Sequence, residues 1–415
     1  MNTMILIGLI AVIAVAGGAA VYVLTDDGND NGDSGGESEF IHCQDMSDNW
    51  IDMPRDLESM YLCGAGTLRT ISHLNLVDKI CASDQLQRGA TTGSNPYMYA
   101  FDEVFNDPSI KEHSDARMKV NLEKILVSNN GEKPQVLVIM DNVAAANADV
   151  VKSLKESGVV VFEMNYEGSL IGSDGNLDPL YEKQINRMGV AFDCKERADE
   201  LLTGIKAIIS DIKSMSTGTA DVYVGGMTVQ RTRGLGNTAL QYPSILLTGT
   251  RNIADGHGLT STGSYGQINI STEKLLEIIE DSGDFKMFVE PASWRLEKGL
   301  VAGDTVISAG LANKGVTKGM VITPVNSYGV DYDNVLVNGY LIAGHVNNID
   351  HDTIRQKVDS VYELFYGEHA VSPDGVKIFD EMGEAYYGLT HCHFGENVTF
   401  STDGIYMTDG TLMTA

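Results

Sequence analysis

Between Lys195 and Met215 the apolar residues fall at Ala198, Leu201, Leu202, Ile205, Ile208, Ile209, Ile212 and Met215. This spacing of three and four predicts an amphipathic helix with one buried stripe. At about 1.5 Å per residue it spans roughly 30 Å, about the width of a lobe. On either side the pattern changes to short apolar runs that alternate with helical segments. Upstream, residues 79–82, 135–140 and 159–163 read as strands, and residues 147–157 as a helix that completes a βαβ unit. Leu68, Ile71 and Leu74 share one helical face behind the small-residue turn Gly64-Ala65-Gly66-Thr67. Residues 89–105, GATTGSNPYMYAFDEVF, read as a turn-rich stretch. Downstream, Asp221–Gly225 and Phe285–Val289 read as strands, and residues 272–279 as a helix. The pattern fits one large α/β domain, or two α/β lobes joined by the central helix with a ligand cleft between them.

Composition sharpens this picture. A chain of 415 residues with 43% hydrophobic content can bury two cores. A net charge of −28 argues against nucleic-acid binding, which needs clustered Lys and Arg. Residues 4–24, MILIGLIAVIAVAGGAAVYVL, carry no charge and match the ~20 residues that cross a bilayer. A cleaved signal peptide and an uncleaved anchor both fit this run. The absence of Lys and Arg from the leading MNT, and the length of the run, favour the N-terminal transmembrane anchor. The acidic Gly/Asp/Asn/Ser stretch that follows reads as a flexible linker, with the bulk of the chain extracytoplasmic. Five scattered cysteines, with no C-x-x-C, are too few for a disulfide scaffold; one disulfide remains open.

A family resemblance rests on the order of several stretches. The Gly/Ala turn leads to a helix ending L-x-L-x-D-K, then NLEKIL, then Lys133-Pro134 and an apolar strand. After the central helix come VYVGG with a basic Gly-rich turn, Tyr242-Pro243, and RNIADG at 251–256. Near the end, Asn326, Tyr328, Asn334, Tyr340 and Gly344 precede a closing helix at 352–367. This order resembles the substrate-binding proteins of ABC importers for iron–siderophore complexes, haem and corrinoids, over roughly residues 49–367. Residues 291–319 and the tail from 368 depart from it. Gly236 and Asn237 stand where the family often has His and Gly.

The resemblance implies an α/β fold of two Rossmann-like lobes, one long interlobe helix and a cleft between them. The expected layout is an anchor at 1–25, a linker at 26–45, a first lobe at 46–194, the helix at 195–215, a second lobe at 216–367 and an extension at 368–415. It implies capture of a metal chelate, a ferric siderophore first and a corrinoid or haem next. The cargo would pass to an ABC permease and its ATPase, docked through acidic surface residues on each lobe. No cofactor is expected.

Arg231 and Arg233 follow a strand end, where open α/β sheets face their ligands, and the arginine fork suits carboxylates and phosphates. Tyr97, Tyr166 and Tyr328 are aromatics of turn-rich segments that could line a cleft around a flat ligand. His257, in DGHGL, could touch a metal or a polar group. Each has a plainer reading as an ordinary surface or packing residue. His391 and His393 share a strand face, with Cys392 between them on the other, and a metal site there needs further ligands from elsewhere. No H-E-x-x-H or phosphate-loop motif occurs, and the G-x-S-x-G match at 32–36 falls in the linker. The alternatives are a chelatase-like or nitrogenase-like enzyme of the same plan, or an orphan surface receptor.

Overall fold

The computed structural model describes residues 38–86, 95–113, 119–165, 170–216, 220–229, 232, 234–261, 264–290, 302–314, 320–326, 331–387, 394–401 and 404–406. The expected anchor and most of the linker lie outside them. No helix among the described residues is long and apolar enough to cross a membrane.

A hairpin of β1 (Phe40–Gln44) and β2 (Trp50–Pro54) precedes β3 (Met60–Cys63), α1 (Thr67–His73) and β4 (Ile80–Ser83). Next come α2 (Pro96–Ala100), α3 (Asp102–Asn106), β5 (Lys111–Glu112) and α4 (Leu122–Leu126). They are followed by β6 (Val136–Met140), α5 (Asp141–Ala146), α6 (Ala148–Glu156), β7 (Val160–Met164) and α7 (Pro179–Ala191). The strands β5-β4-β3-β6-β7 form a wholly parallel sheet. Parallel strands are covered on both faces, which is why β6 reads VLVIM and is buried at every residue.

Helix α8 (Lys195–Met215) has the predicted bounds. Its buried residues are the expected stripe from Ala198 to Ile212, with Met215 half-buried. It packs on α7 and on helices of the second half.

The second half contains β8 (Asp221–Gly225), β9 (Asn237–Ala239), α9 (Pro243–Thr248), β10 (Arg251–Asn252), β11 (Gln267–Asn269) and α10 (Thr272–Asp281). Then come β12 (Phe285–Val289), α11 (Ala302–Asn313), β13 (Met320–Ile322), α12 (Tyr332–Val346) and α13 (His351–Tyr366). The tail adds α14 (Ile378–Tyr387), β14 (Asn397–Ser401) and β15 (Gly404–Tyr406). The second sheet runs β10-β8-β12-β13-β14-β15, parallel through β13 and antiparallel thereafter.

Three segments differ from their sequence expectation. Part of the turn-rich stretch is helical: Pro96 occupies the first helical turn of α2, and Tyr97, Phe101 and Phe105 recur every four residues on a buried face. Residues 40–44, set in the linker on composition, form β1, because Cys43 and Met53 bury one face of the hairpin. The tail, which had no legible role, supplies β14 to the second sheet beside β13. Side-chain caps at Asn121, Asp178, Ser271 and Asp350 open α4, α7, α10 and α13 by accepting from the first-turn amides.

Candidate ligand-binding site

In each sheet the chain winds outward from one strand in both directions. β3 lies between β4 and β6, and β8 lies between β10 and β12. The carboxyl ends beside such a reversal leave a crevice that neither neighbouring connection covers. In the first lobe this end carries Gly64, with φ +99°, whose N–H donates to the buried Asp84 carboxylate at 2.9 and 3.1 Å. The turn feeds α1, whose seven residues, TLRTISH, are all buried although most are polar. A helix buried all round with polar side chains must find partners for them.

Arg69 finds its partner in the other lobe. Its Nη2 lies 2.6 Å from Asp331 Oδ1, and the side chains are 9% and 0% exposed. The guanidinium stands 5.7 Å from the Tyr97 ring centre and 5.9 Å from that of Tyr332. Arg69 lines a cavity of about 80 Å3 with Ala65, Gly66, Thr70, Met140, Met164, Asn165, Gln184 and Tyr332. These residues come from the turn after β3, from α1, from the carboxyl ends of β6 and β7, from α7, and from the start of α12. The cavity is therefore interlobe, at the reversal point of the first sheet.

A second polar chain runs behind it. The Tyr366 hydroxyl donates to Asp333 and lies 3.2 Å from His73 Nε2. Burial pushes the Asp333 carboxyl up to about 6, with Asp331 adding to the effect. Burial holds His73 well below its usual range, reinforced by Arg69 and Arg197, so the ring is neutral. Deeper in the second lobe, Tyr242 donates to Glu290 Oε1 at 2.7 Å, and Asn338 Nδ2 donates to the Tyr242 oxygen at 2.8 Å. Glu290 follows β12 at the second reversal point, and burial raises its carboxyl to about 7.

A larger, more open depression of about 780 Å3 lies on the first lobe, between α5, α6, β7 and the hairpin turn. It is lined by both signs of charge, Asp141 and Glu163 against Lys152 and Lys155. All its lining residues belong to the first lobe, whereas a two-lobed site draws on both halves, so the smaller interlobe cavity is the better candidate.

Of the residues singled out from sequence, Tyr97 and His257 are described. Tyr97 is 6% exposed and stands edge-on to Phe105 at 6.4 Å. Its ring stands 5.7 Å from the Arg69 guanidinium, and it is not among the described residues that line the cavity. His257 is half-buried in the turn after β10, outside the cavity lining. Arg231, Arg233, Tyr166 and Tyr328 lie outside the described residues, as do His391 and His393. Thr232, between the two arginines, accepts through Oγ1 from Asn237 and Asn269 at 3.2 and 3.0 Å. No group of three or more His, Cys, Asp or Glu side chains among the described residues is placed to hold a metal ion. Sequence reading missed Arg69, Asp331 and Glu290. The visible signal for Arg69 was a cation in the first turn behind a Gly-Ala-Gly strand exit. Asp331 and Asp333 resembled ordinary acidic residues at a helix start.

This is the fold of the periplasmic solute-binding proteins of ABC transporters, as the sequence resemblance implied. No family model matches the chain. A periplasmic solute-binding protein from Veillonella parvula superposes with a TM-score of 0.56 at 15% identity, over 85% of this chain and 98% of that one. An ABC transporter solute-binding protein from Sulfurospirillum deleyianum gives 0.51 at 15% identity, over 84% and 99%. The molybdate periplasmic binding protein of Haemophilus influenzae gives 0.51 at 14% identity, over 78% and 97%. In sequence, an uncharacterized ABC transporter substrate-binding lipoprotein of Bacillus subtilis is 29% identical over 96 residues. That match spans 23% of this chain and 27% of the relative.

Proposed function

We propose that this chain is the extracytoplasmic solute-binding component of an ABC importer. It takes its ligand between the two lobes and passes it to a membrane permease driven by an ATPase. The observation that carries the proposal is the interlobe cavity at the strand carboxyl ends, with Arg69 from one lobe paired to Asp331 from the other. The single-helix connection supports it. Helix α8 is anchored to both halves, so the lobes rock through small angles rather than swing on flexible strands.

The proposed cargo is a metal chelate with an oxygen-rich rim: a ferric siderophore, or a corrinoid or haem. Arg231, Arg233, Tyr166 and Tyr328 are proposed as contacts along with the described cleft. Residues 4–24 are proposed to anchor the chain in the cell membrane, with the acidic linker as tether. The proposed role is non-enzymatic, a reading supported by solved structures named as solute-binding proteins.

Quenching of intrinsic fluorescence, titrated with a ferric siderophore, haemin, cobalamin and molybdate, tests the cargo. Saturable binding of one chelate, weakened by Arg231→Ala and Arg233→Ala, is expected. Absence of binding to every chelate would remove the cargo assignment. Binding of molybdate alone would replace it with an inorganic oxyanion.

A further inference from the structure

Arg69 is more than nine-tenths buried, yet its Nε has no hydrogen-bond partner among the described residues. A guanidinium offers five donors in a rigid fork and is not deprotonated in proteins, so a buried one needs acceptors on both edges. Here Asp331 supplies an oxygen to Nη2 at 2.6 Å. The cavity beside this fork is lined by further donor-bearing side chains, those of Thr70, Asn165 and Gln184. No acidic residue is among its described lining residues. Thr70 and Asn165 come from the first lobe with Arg69, while Asp331 comes from the second.

We propose that Arg69 is the anion-receiving group of the cleft, and that Asp331 is an internal competitor occupying its fork until a ligand carboxylate or oxyanion displaces it. This rests on the solute-binding reading and narrows the ligand to one that presents a negatively charged oxygen group. On the Arg69 side the exchange is balanced: the ligand's oxygens replace those of Asp331 on the same donors, and the unused Nε gains an acceptor, while the released Asp331 carboxylate, buried in the pair, must reach water or take up a proton as the lobes part. Because Asp331 sits on the opposite lobe, its displacement loosens one interlobe tie at the moment of capture. The internal carboxylate also rejects neutral solutes, which offer nothing to compensate Arg69 for the loss of its partner.

Calorimetric titration of the full chain with ferric citrate, molybdate and cyanocobalamin tests this. Ferric citrate presents carboxylates, molybdate presents an inorganic oxyanion, and cyanocobalamin carries no net charge. Asp331→Asn, which keeps shape but removes the competing charge, is expected to tighten one of the two anions about tenfold, or about 1.4 kcal/mol. Arg69→Gln on the Asp331→Asn background should abolish that binding. That double variant removes both charges of the pair together, so its thermal unfolding should stay closer to that of the unaltered chain than that of Arg69→Gln alone. Anion affinity unchanged or weakened by Asp331→Asn, or retained in the double variant, overturns the proposal. Binding of cyanocobalamin without either anion also overturns it, while leaving the solute-binding reading in place. Binding of none of the three overturns it and counts against that reading as well.

Discussion

Arg197, in the helix between the lobes, donates through Nε to the main-chain carbonyl of His73 at 3.0 Å. His73 closes α1 of the first lobe. The same guanidinium donates through Nη2 to the carbonyls of Leu364 and Phe365, at 2.6 and 2.9 Å, in the last turn of α13. One side chain thus satisfies the carboxyl ends of two helices, where carbonyls lack intrahelical donors and a cation is favoured. The side chain is 14% exposed, so water does not readily replace it.

Arg197→Ala is therefore expected to destabilise the chain by about 2–4 kcal/mol, through the loss of several charge-assisted hydrogen bonds. Urea unfolding measures it. Arg197→Lys should recover only part, because an ammonium has no planar fork. A change below about 0.5 kcal/mol for Arg197→Ala would show that these carbonyls are satisfied by other means.

Glu290 makes stability depend on pH. Its carboxyl titrates near 7 in the folded chain, against an ordinary value of 4.5, because burial disfavours the charged form. Between these values the folded state holds a proton that the unfolded state has released. Stability is thus fully present below about 4.5 and is lost as pH rises through about 7, by on the order of 3 kcal/mol. Asp333, raised to about 6 by burial, acts in the same direction. Melting temperatures should fall from pH 5 to about 7, and Glu290→Gln should flatten the part between about 6 and 7, above the range of Asp333. An equal slope in that variant would assign the effect elsewhere.

Gly226 ends the strand exit opposite Glu290. Its φ is +81°, and a Cβ there would stand 2.2 Å from the Glu290 carbonyl oxygen, a main-chain atom with little room to yield. Gly226→Ala should cost on the order of 3 kcal/mol or more, from backbone strain and collision together. Gly256→Ala is the control: its φ of +83° is similar, but no atom of the described residues lies within 4 Å of the added carbon. It should cost only about 1 kcal/mol, and equal losses at both sites would refute the collision argument.

Much of the scaffold was legible because it is written locally. The stripe from Ala198 to Ile212 repeats at the helical period, and β6 is a short unbroken apolar run. The second strand and helix of the βαβ unit follow the same rule. Residues 89–105 misled because Gly, Ser, Asn and Pro crowd the stretch and mask the four-residue repeat of Tyr97, Phe101 and Phe105. The site was less legible. Of the sequence candidates described, Tyr97 stands against Arg69, and neither it nor His257 is among the described residues lining the cavity.

The periodicity of apolar residues, by itself, determined the central helix with its bounds and the main parallel strands, since burial of one face needs only a regular spacing. Only the tertiary structure decided that Arg69 meets Asp331, that Tyr242 meets Glu290, and that β14 joins β13. Each of these pairs residues far apart in the chain. A polar side chain is forced to find such a partner only once the surrounding core has excluded water from it.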